Sequence, residues 1–307
     1  MLDPAEIGVA YERIRERIHK TPIILAKDLG LDKPIEVKLE NTQLTGSFKV
    51  RGAFNNLISR EVTEAGVVAA SGGNHGAAVA YAAKALGHPA RIFVPELAGP
   101  SKIALIRRTG AELVVVPGTY AEALSAARVY EDQTGAIQVH AYDDPATVVG
   151  QGTMMLEWEA QGLENVDTIL IAVGGGGLIG GALLWLQGRR KVVAVEPETC
   201  ATLYSARAAG RPVDVEVGGI AANALGAKRI GDICFDLASQ FDTPVVKVTD
   251  EAIATAQRNL WQGLRQWVEP AGAAALAALA SRAYVPAKAE RVAVLVCGAN
   301  PAPGPFD

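Results

Sequence analysis

The chain has 307 residues, half of them hydrophobic, with 20% charged and a formal net charge of -4. That length can bury a sizeable core as one large domain or two, and the near-balanced charge argues against nucleic acid as the main partner. Three scattered cysteines, Cys200, Cys234 and Cys297, offer neither a disulfide framework nor zinc spacing and point to a reducing compartment.

Asp3 and Pro4 open a helix as cap and first-turn residue, and Ile7, Tyr11, Ile14 and Ile18 recur at helical spacing. The same segment carries Asp3, Glu6 and Glu12 and no apolar core of signal-peptide length. Thr21-Pro22-Ile23 stops the helix, because proline restricts the residue before it. A strand over residues 35–39 leads into a turn through Gly46 to Lys49, and residues 54–57 read as the first turns of a helix. From there strand, turn and helix repeat. Strands are predicted at 67–70, 90–94, 111–116 and 137–141, and helices at 74–86, 101–108 and 120–134. Asp143-Asp144-Pro145 reads as a boundary. Then come a helix at 148–159, a strand at 168–173, a helix at 178–186 and a strand at 191–195. A helical stretch at 204–209, an extended one at 211–217 and short elements at 221–225 and 232–240 follow. A strand at 245–248, helices at 251–267 and 270–280 and a last strand at 291–296 precede a loose, proline-rich tail at 301–307.

Alternation of short strands with helices predicts an α/β fold with open, twisted, mostly parallel sheets. Two domains are expected. The smaller covers residues 44–145, the larger residues 1–43 and 146–307, with the ligand in the cleft between them. Residues 168–188 are uncharged and long enough to span a bilayer. Four consecutive glycines split them into a short strand and a short helix, so they read as buried core. A cytoplasmic protein with no membrane partner is the expectation.

Lys49 stands between Phe48 and Val50. Apolar neighbours disfavour the charged ammonium, and a neutral amine is nucleophilic and forms a Schiff base with an aldehyde. Taken alone, it also reads as an ordinary lysine at a helix start. Two glycine-rich strand-to-helix turns lie downstream, Ser71-Gly72-Gly73-Asn74-His75-Gly76 and Gly174-Gly175-Gly176-Gly177. Such turns present bare N–H groups at helix N-termini, where anions bind. The tetraglycine lacks the spaced glycines of a dinucleotide fingerprint and the lysine and hydroxyl of a nucleotide-triphosphate loop. Each turn could also be a plain helix start. One aldehyde-binding lysine with two anion sites suits pyridoxal phosphate and an amino-acid carboxylate. His75 reads either as a base or as a residue that holds its turn. Cys297 closes a strand and reads either as a thiol against a pyridine nitrogen or as a small buried hydrophobe. Cys200 and Cys234 read as structural.

Ser47-Phe48-Lys49-Val50-Arg51-Gly52-Ala53, Ser71-Gly72-Gly73-Asn74-His75, Gly174-Gly175-Gly176-Gly177-Leu178 and Val268-Glu269-Pro270-Ala271-Gly272-Ala273 together resemble the serine/threonine dehydratase family over nearly the whole chain. These are pyridoxal-phosphate enzymes of fold type II, the tryptophan-synthase-β-like fold. The resemblance implies Lys49 as the Schiff-base lysine and proton carrier and Phe48 against the cofactor ring. It implies Gly174 to Gly177, with Leu178, around the phosphate, Asn74 on the ring hydroxyl, and Cys297 beside the pyridine nitrogen. Ser71, Gly72, Gly73, Asn74 and His75 would bind the substrate carboxylate. The implied reaction is β-elimination from L-threonine or L-serine to a 2-oxo acid and ammonia, by a likeness-inferred homodimer. A β-replacement enzyme and a non-catalytic metabolite binder are the alternatives. Gly72 stands where serine racemases carry a second serine, which argues against racemization. Metal-activated members carry Glu and Asp after the strand ending at Glu196, but Thr202 takes the Asp position. No metal is expected, with Glu196, Cys200 and Thr202 as the only candidates. Ala222-Asn223-Ala224 replaces a usual Ala-Asp-Gly near the substrate, which leaves room for a bulkier 3-hydroxy amino acid. The chain stops soon after Asn300, so the regulatory domain of long biosynthetic dehydratases and control by isoleucine are not expected.

Overall fold

A computed structural model describes residues 2–98, 100–118 and 120–301. The tail read as loose lies, from residue 302 on, outside the described residues. Helix α1 (Ala5–Ile14) buries Ile7, Ala10 and Ile14 along one side. A short 3-10 turn at Arg15–Arg17 follows, and Ile18 is already extended. Strand β1 (Ile23–Ala26) then pairs antiparallel with β2 (Ile35–Leu39). β1 is not foreseen in the sequence. It is an edge strand with only Ala26 buried, so the alternation that marks a half-covered strand is missing.

Helix α2 (Lys49–Ile58) begins five residues earlier than expected, with Phe48 as its cap position. Val50 through Leu57 are all buried. A helix covered on every side shows no polar face, so its first turn carries no periodic signal. Next come β3 (Val67–Ala70), α3 (Asn74–Leu86), β4 (Ala90–Pro95), α4 (Pro100–Arg107), β5 (Glu112–Val116), α5 (Tyr120–Thr134) and a short β6 (Ile137–Gln138). The four strands form a parallel sheet in the order β5-β4-β3-β6. β3 is buried along its whole length, as a parallel strand with helices on both faces must be.

The acidic pair read as a boundary also starts a helix. Asp144 accepts a hydrogen bond from the Thr147 N–H at 3.0 Å, and Pro145 begins α6 (Pro145–Glu159). The chain continues through β7 (Thr168–Ala172), α7 (Gly177–Leu186), β8 (Lys191–Pro197), α8 (Thr202–Ala209), α9 (Ala222–Leu225) and α10 (Asp232–Gln240). It closes with β9 (Val245–Val248), α11 (Asp250–Leu264), α12 (Pro270–Ala280) and β10 (Val292–Val296). α11 ends three residues short of the expected Trp267, because Arg265 turns left-handed with φ 56°. The second sheet runs β1-β2-β10-β7-β8-β9 and is parallel except for β1. Among the described residues, no helix is long and apolar enough to cross a membrane.

A buried ion cluster fixes α2 against this larger sheet. Arg51 donates to Glu40 through Nε at 2.8 Å and Nη2 at 2.7 Å, and to Glu157 at 3.0 Å. Lys38 on β2 donates to the other Glu157 oxygen at 2.7 Å. All four side chains are at most 1% exposed. Burial costs each ion its hydration, and the cluster is tolerable because two cations meet two carboxylates with further hydrogen bonds. Glu157→Ala leaves two buried cations short of an acceptor and should lower stability by about 3–5 kcal/mol, read by urea unfolding. A loss below about 1 kcal/mol, the level of an exposed pair, would show that the cluster does not hold the helix.

Candidate active site

In an open parallel sheet, ligands gather beyond the C-terminal ends of the strands. Here β10 leads into Cys297 and β7 into the tetraglycine turn, and the two strands are neighbours. The chain after β10 also holds the segment before α2. Ser47 bridges to Gly298, the Phe48 N–H donates to the Cys297 carbonyl at 3.3 Å, and the Ala299 N–H donates to the Gly46 carbonyl at 2.8 Å. Phe48, Lys49, Asn74, Gly174, Gly175, Gly176, Gly177, Leu178 and Cys297 therefore line one cleft.

Lys49 is the first residue of α2. Its Nζ donates to the Ala141 carbonyl at 2.7 Å and lies 5.2 Å from the centre of the Phe48 ring. Loss of hydration lowers its pKa to about 8, against an upward pull from Cys297 and Glu269. An amine so placed is partly neutral near physiological pH and can act as nucleophile and base.

The tetraglycine is enforced from behind. A Cβ at Gly175 would lie 2.3 Å from the Tyr142 ring, and one at Gly176 would lie 2.4 Å from the Cys234 sulfur. Gly176 also takes φ 93°. Among the described residues, no protein acceptor meets the N–H groups of Gly174, Gly175, Gly176 or Gly177. They are free at the N-terminus of α7, where the helix dipole adds positive potential. A phosphate fits this cradle.

Cys297 is buried and its Sγ donates to the Ala271 carbonyl at 3.4 Å. Burial and the neighbouring Glu269 push the thiol above its usual range, so it stays neutral. Cys234 packs behind the glycine turn and is also buried. The turn before α3 adjoins the cleft without forming its wall. There the Ser71 Oγ accepts the Gly73 N–H at 3.1 Å. Gly72 has no space for a side chain, since a Cβ would meet that of Ala98 at 2.4 Å. The His75 Nε2 is 2.8 Å from the Val139 carbonyl, and burial with the Lys49 charge lowers its pKa to about 3. The ring is thus a neutral donor that ties α3 to the segment after β6.

Thr202 sits behind the tetraglycine with Glu196 against it, and Cys200 is buried within electrostatic reach of Glu196. Glu196 accepts the N–H groups of Leu203 at 2.7 Å and Tyr204 at 2.8 Å, and burial raises its pKa to about 7. The Thr202 hydroxyl lies 3.0 Å from Glu196 and 2.6 Å from the Gly174 carbonyl. The carboxyl thus starts α8, and the hydroxyl supports the turn.

Three residues at the site were not foreseen: Tyr142, Glu269 and Asn300. Tyr142 and Glu269 line the cleft, and Asn300 touches Asn74 from behind. Glu269 belongs to a quoted motif but carries no spacing signal of its own. A larger cavity of about 640 Å³ lies at the opposite, N-terminal ends of β2 and β10, lined by Leu31, Ile35, Tyr284 and Val285 among others. Its lysines, Lys33 and Lys288, are exposed and no glycine cradle faces it, so chemistry and not volume picks out the site.

A family profile described as "Pyridoxal-phosphate dependent enzyme" matches residues 14–298. The L-threonine ammonia-lyase of Thermotoga maritima is 35% identical over 98% of this chain and 76% of its own length. A solved threonine deaminase from T.th. superposes with a TM-score of 0.90 at 33% identity, covering 97% of this chain and 98% of that one. Maize serine racemase superposes with a TM-score of 0.92 at 31% identity, over 97% and 94%. The two mainly parallel sheets are those of fold type II, the cofactor is pyridoxal phosphate, and the chain belongs to the pyridoxal-phosphate dependent enzyme family.

Proposed function

We propose that the protein is an ammonia-lyase that eliminates the β-hydroxyl of L-threonine or L-serine as water, after which the enamine tautomerises and takes a water back on hydrolysis, so that the net products are the 2-oxo acid and ammonia. One observation carries this reading. A lysine amine of lowered pKa and a cradle of free N–H groups line the same cleft. The cofactor supplies the electron sink that makes the substrate α-hydrogen acidic. Lys49 would hold the aldehyde group through its amine, and the same amine, when free, is placed to take up the substrate α-proton. Gly174 to Gly177 and Leu178 would hold the phosphate. Phe48 would flank the ring, Asn74 would donate to its hydroxyl, and the neutral Cys297 thiol would face the pyridine nitrogen. A neutral partner does not hold a proton on that nitrogen, which favours elimination over deeper carbanion chemistry. Ser71 to His75 would face the substrate carboxylate at the start of α3, where the Ser71 N–H already donates to the Phe93 carbonyl and the Gly73 N–H to the Ser71 Oγ, leaving the amides of Gly72, Asn74 and His75 to offer.

The crowded Gly72 supports lyase over racemase, because no serine side chain fits there. Thr202 and the amides of Leu203 and Tyr204 occupy the Glu196 carboxyl, which supports a cap role and not a cation site. We read residues 44–145 as the smaller domain and residues 1–43 with 146–307 as the larger. All strands of the four-stranded sheet fall within the former. A homodimer is read from likeness to the family, and a cytoplasmic location suits three free, buried cysteines.

Four outcomes test this reading. Pure protein with L-threonine should yield 2-oxobutanoate and ammonia, with no D-isomer on chiral analysis. Lys49→Ala should lose both turnover and the visible absorbance of bound cofactor. Retained turnover in that variant would refute the role of Lys49. In cofactor-free protein, amine-directed labelling of Lys49 should rise with pH through a midpoint near 8, since only the neutral amine reacts. A midpoint at the ordinary lysine value of about 10.4 would exclude the lowered pKa. Chelation of divalent cations should leave turnover within about twofold, far short of the 10–100-fold typical when a metal site is disturbed.

A further inference from the structure

Asn74 is the one donor that the side of the cleft carrying α3 lends to the cofactor in the reading above, and its amide is held from two sides. Its Nδ2 donates to the Glu269 Oε1 at 2.5 Å, and its Oδ1 accepts from the Asn300 Nδ2 at 2.8 Å. The second Nδ2 hydrogen of Asn300 goes to the Thr45 carbonyl at 2.7 Å. These contacts leave one orientation. A carbonyl only accepts, so the Asn300 nitrogen faces Thr45. That nitrogen then needs an acceptor on Asn74, and an amide nitrogen there matches a carboxylate oxygen on its other side. One N–H of Asn74 remains, and the side chain lines the cleft.

The backbone is built around this arrangement. A Cβ at Gly298 would lie 2.0 Å from the Glu269 Oε1 and 3.3 Å from the Asn74 Nδ2. A Cβ at Gly46, where φ is 77°, would lie 2.7 Å from the Asn300 Oδ1. Side chains at either position would displace the carboxylate or the amide. Glu269 is 6% exposed, so its bond to Asn74 is little diluted by water.

We propose that Glu269 and Asn300 are positioning residues. They lock the Asn74 amide so that it presents a donor, and never its carbonyl, to the cofactor ring oxygen. The inference rests on the cofactor site proposed above. If the amide were free to flip, half of its orientations would set oxygen against oxygen. The lock therefore sets cofactor affinity through Asn74, and Glu269 and Asn300 need not touch the cofactor themselves.

A double-mutant cycle on the affinity of cofactor-free protein for pyridoxal phosphate, followed by fluorescence, tests this. Asn74→Ala should weaken binding about tenfold, the value of one hydrogen bond of about 1.4 kcal/mol. Glu269→Ala and Asn300→Ala should each weaken it about three- to tenfold, and Glu269→Gln, which keeps an acceptor for Asn74, should restore most of the loss. In an Asn74→Ala background, Glu269→Ala and Asn300→Ala should add nothing. Additive losses in that background would overturn the proposal, because the residues would then act independently of Asn74. So would a Glu269→Gln variant as weak as Glu269→Ala. Should one alanine variant not fold, as judged by thermal melting, the cycle with the other decides. Failure of the wild-type protein to bind the cofactor at all would instead refute the underlying site.

Discussion

The structure depends on a pocket of charge that never reaches water. Lys38, Glu40, Arg51 and Glu157 come from β2, the turn after it, α2 and α6, and they meet as two cations with two carboxylates. Arg51 lies two residues after Lys49, at the start of the same helix. Its planar fork engages both carboxylates, which fixes the rotation of α2 as well as its position. The nucleophile is thus aimed by a group that plays no chemical part. Hydrophobic packing alone would leave α2, buried on all sides, with several rotations of similar energy.

The same residue type meets two fates within a short stretch of chain. Lys38 is wholly buried but satisfied by Glu157, the Thr21 carbonyl and Gln161. Lys49 donates to a backbone carbonyl and, among the described residues, forms no ion pair with a carboxylate. Desolvation lowers the pKa of both, but only Lys49 opens on a cleft. The protein spends its carboxylates on the structural lysine and leaves the reactive one short. Glu269 stands close enough to influence Lys49, yet it accepts a hydrogen bond from Asn74.

Much of this was legible in the sequence, for physical reasons. Parallel strands such as β3 and β7 are covered on both faces and appear as unbroken apolar runs. The tetraglycine is visible because nothing else tolerates a ring and a sulfur pressed against the turn. What stayed hidden depends on tertiary context. β1 is an exposed edge with no alternation. The start of α2 lacks a polar face. Asp144-Pro145 has the composition of a linker and the geometry of a helix cap. The links from Asn74 to Glu269 and Asn300 span 195 and 226 residues, and no local pattern encodes such a pairing. Lys49, Phe48 and the glycine turns were each recognisable, but their convergence follows from which strands lie side by side.

The order of the larger sheet bears on how the protein is made. β10, the last strand among the described residues, lies between β2 and β7. A nascent polypeptide emerging from the ribosome therefore carries its lysine and both glycine turns long before it can close the sheet. Until residues 292–296 arrive, β2 and β7 each keep an open inner edge, the kind of surface that recruits stray strands. Because Cys297 follows β10 and lines the cleft, the cleft is complete only once that strand docks, and chaperone protection would matter most in the interval before it does.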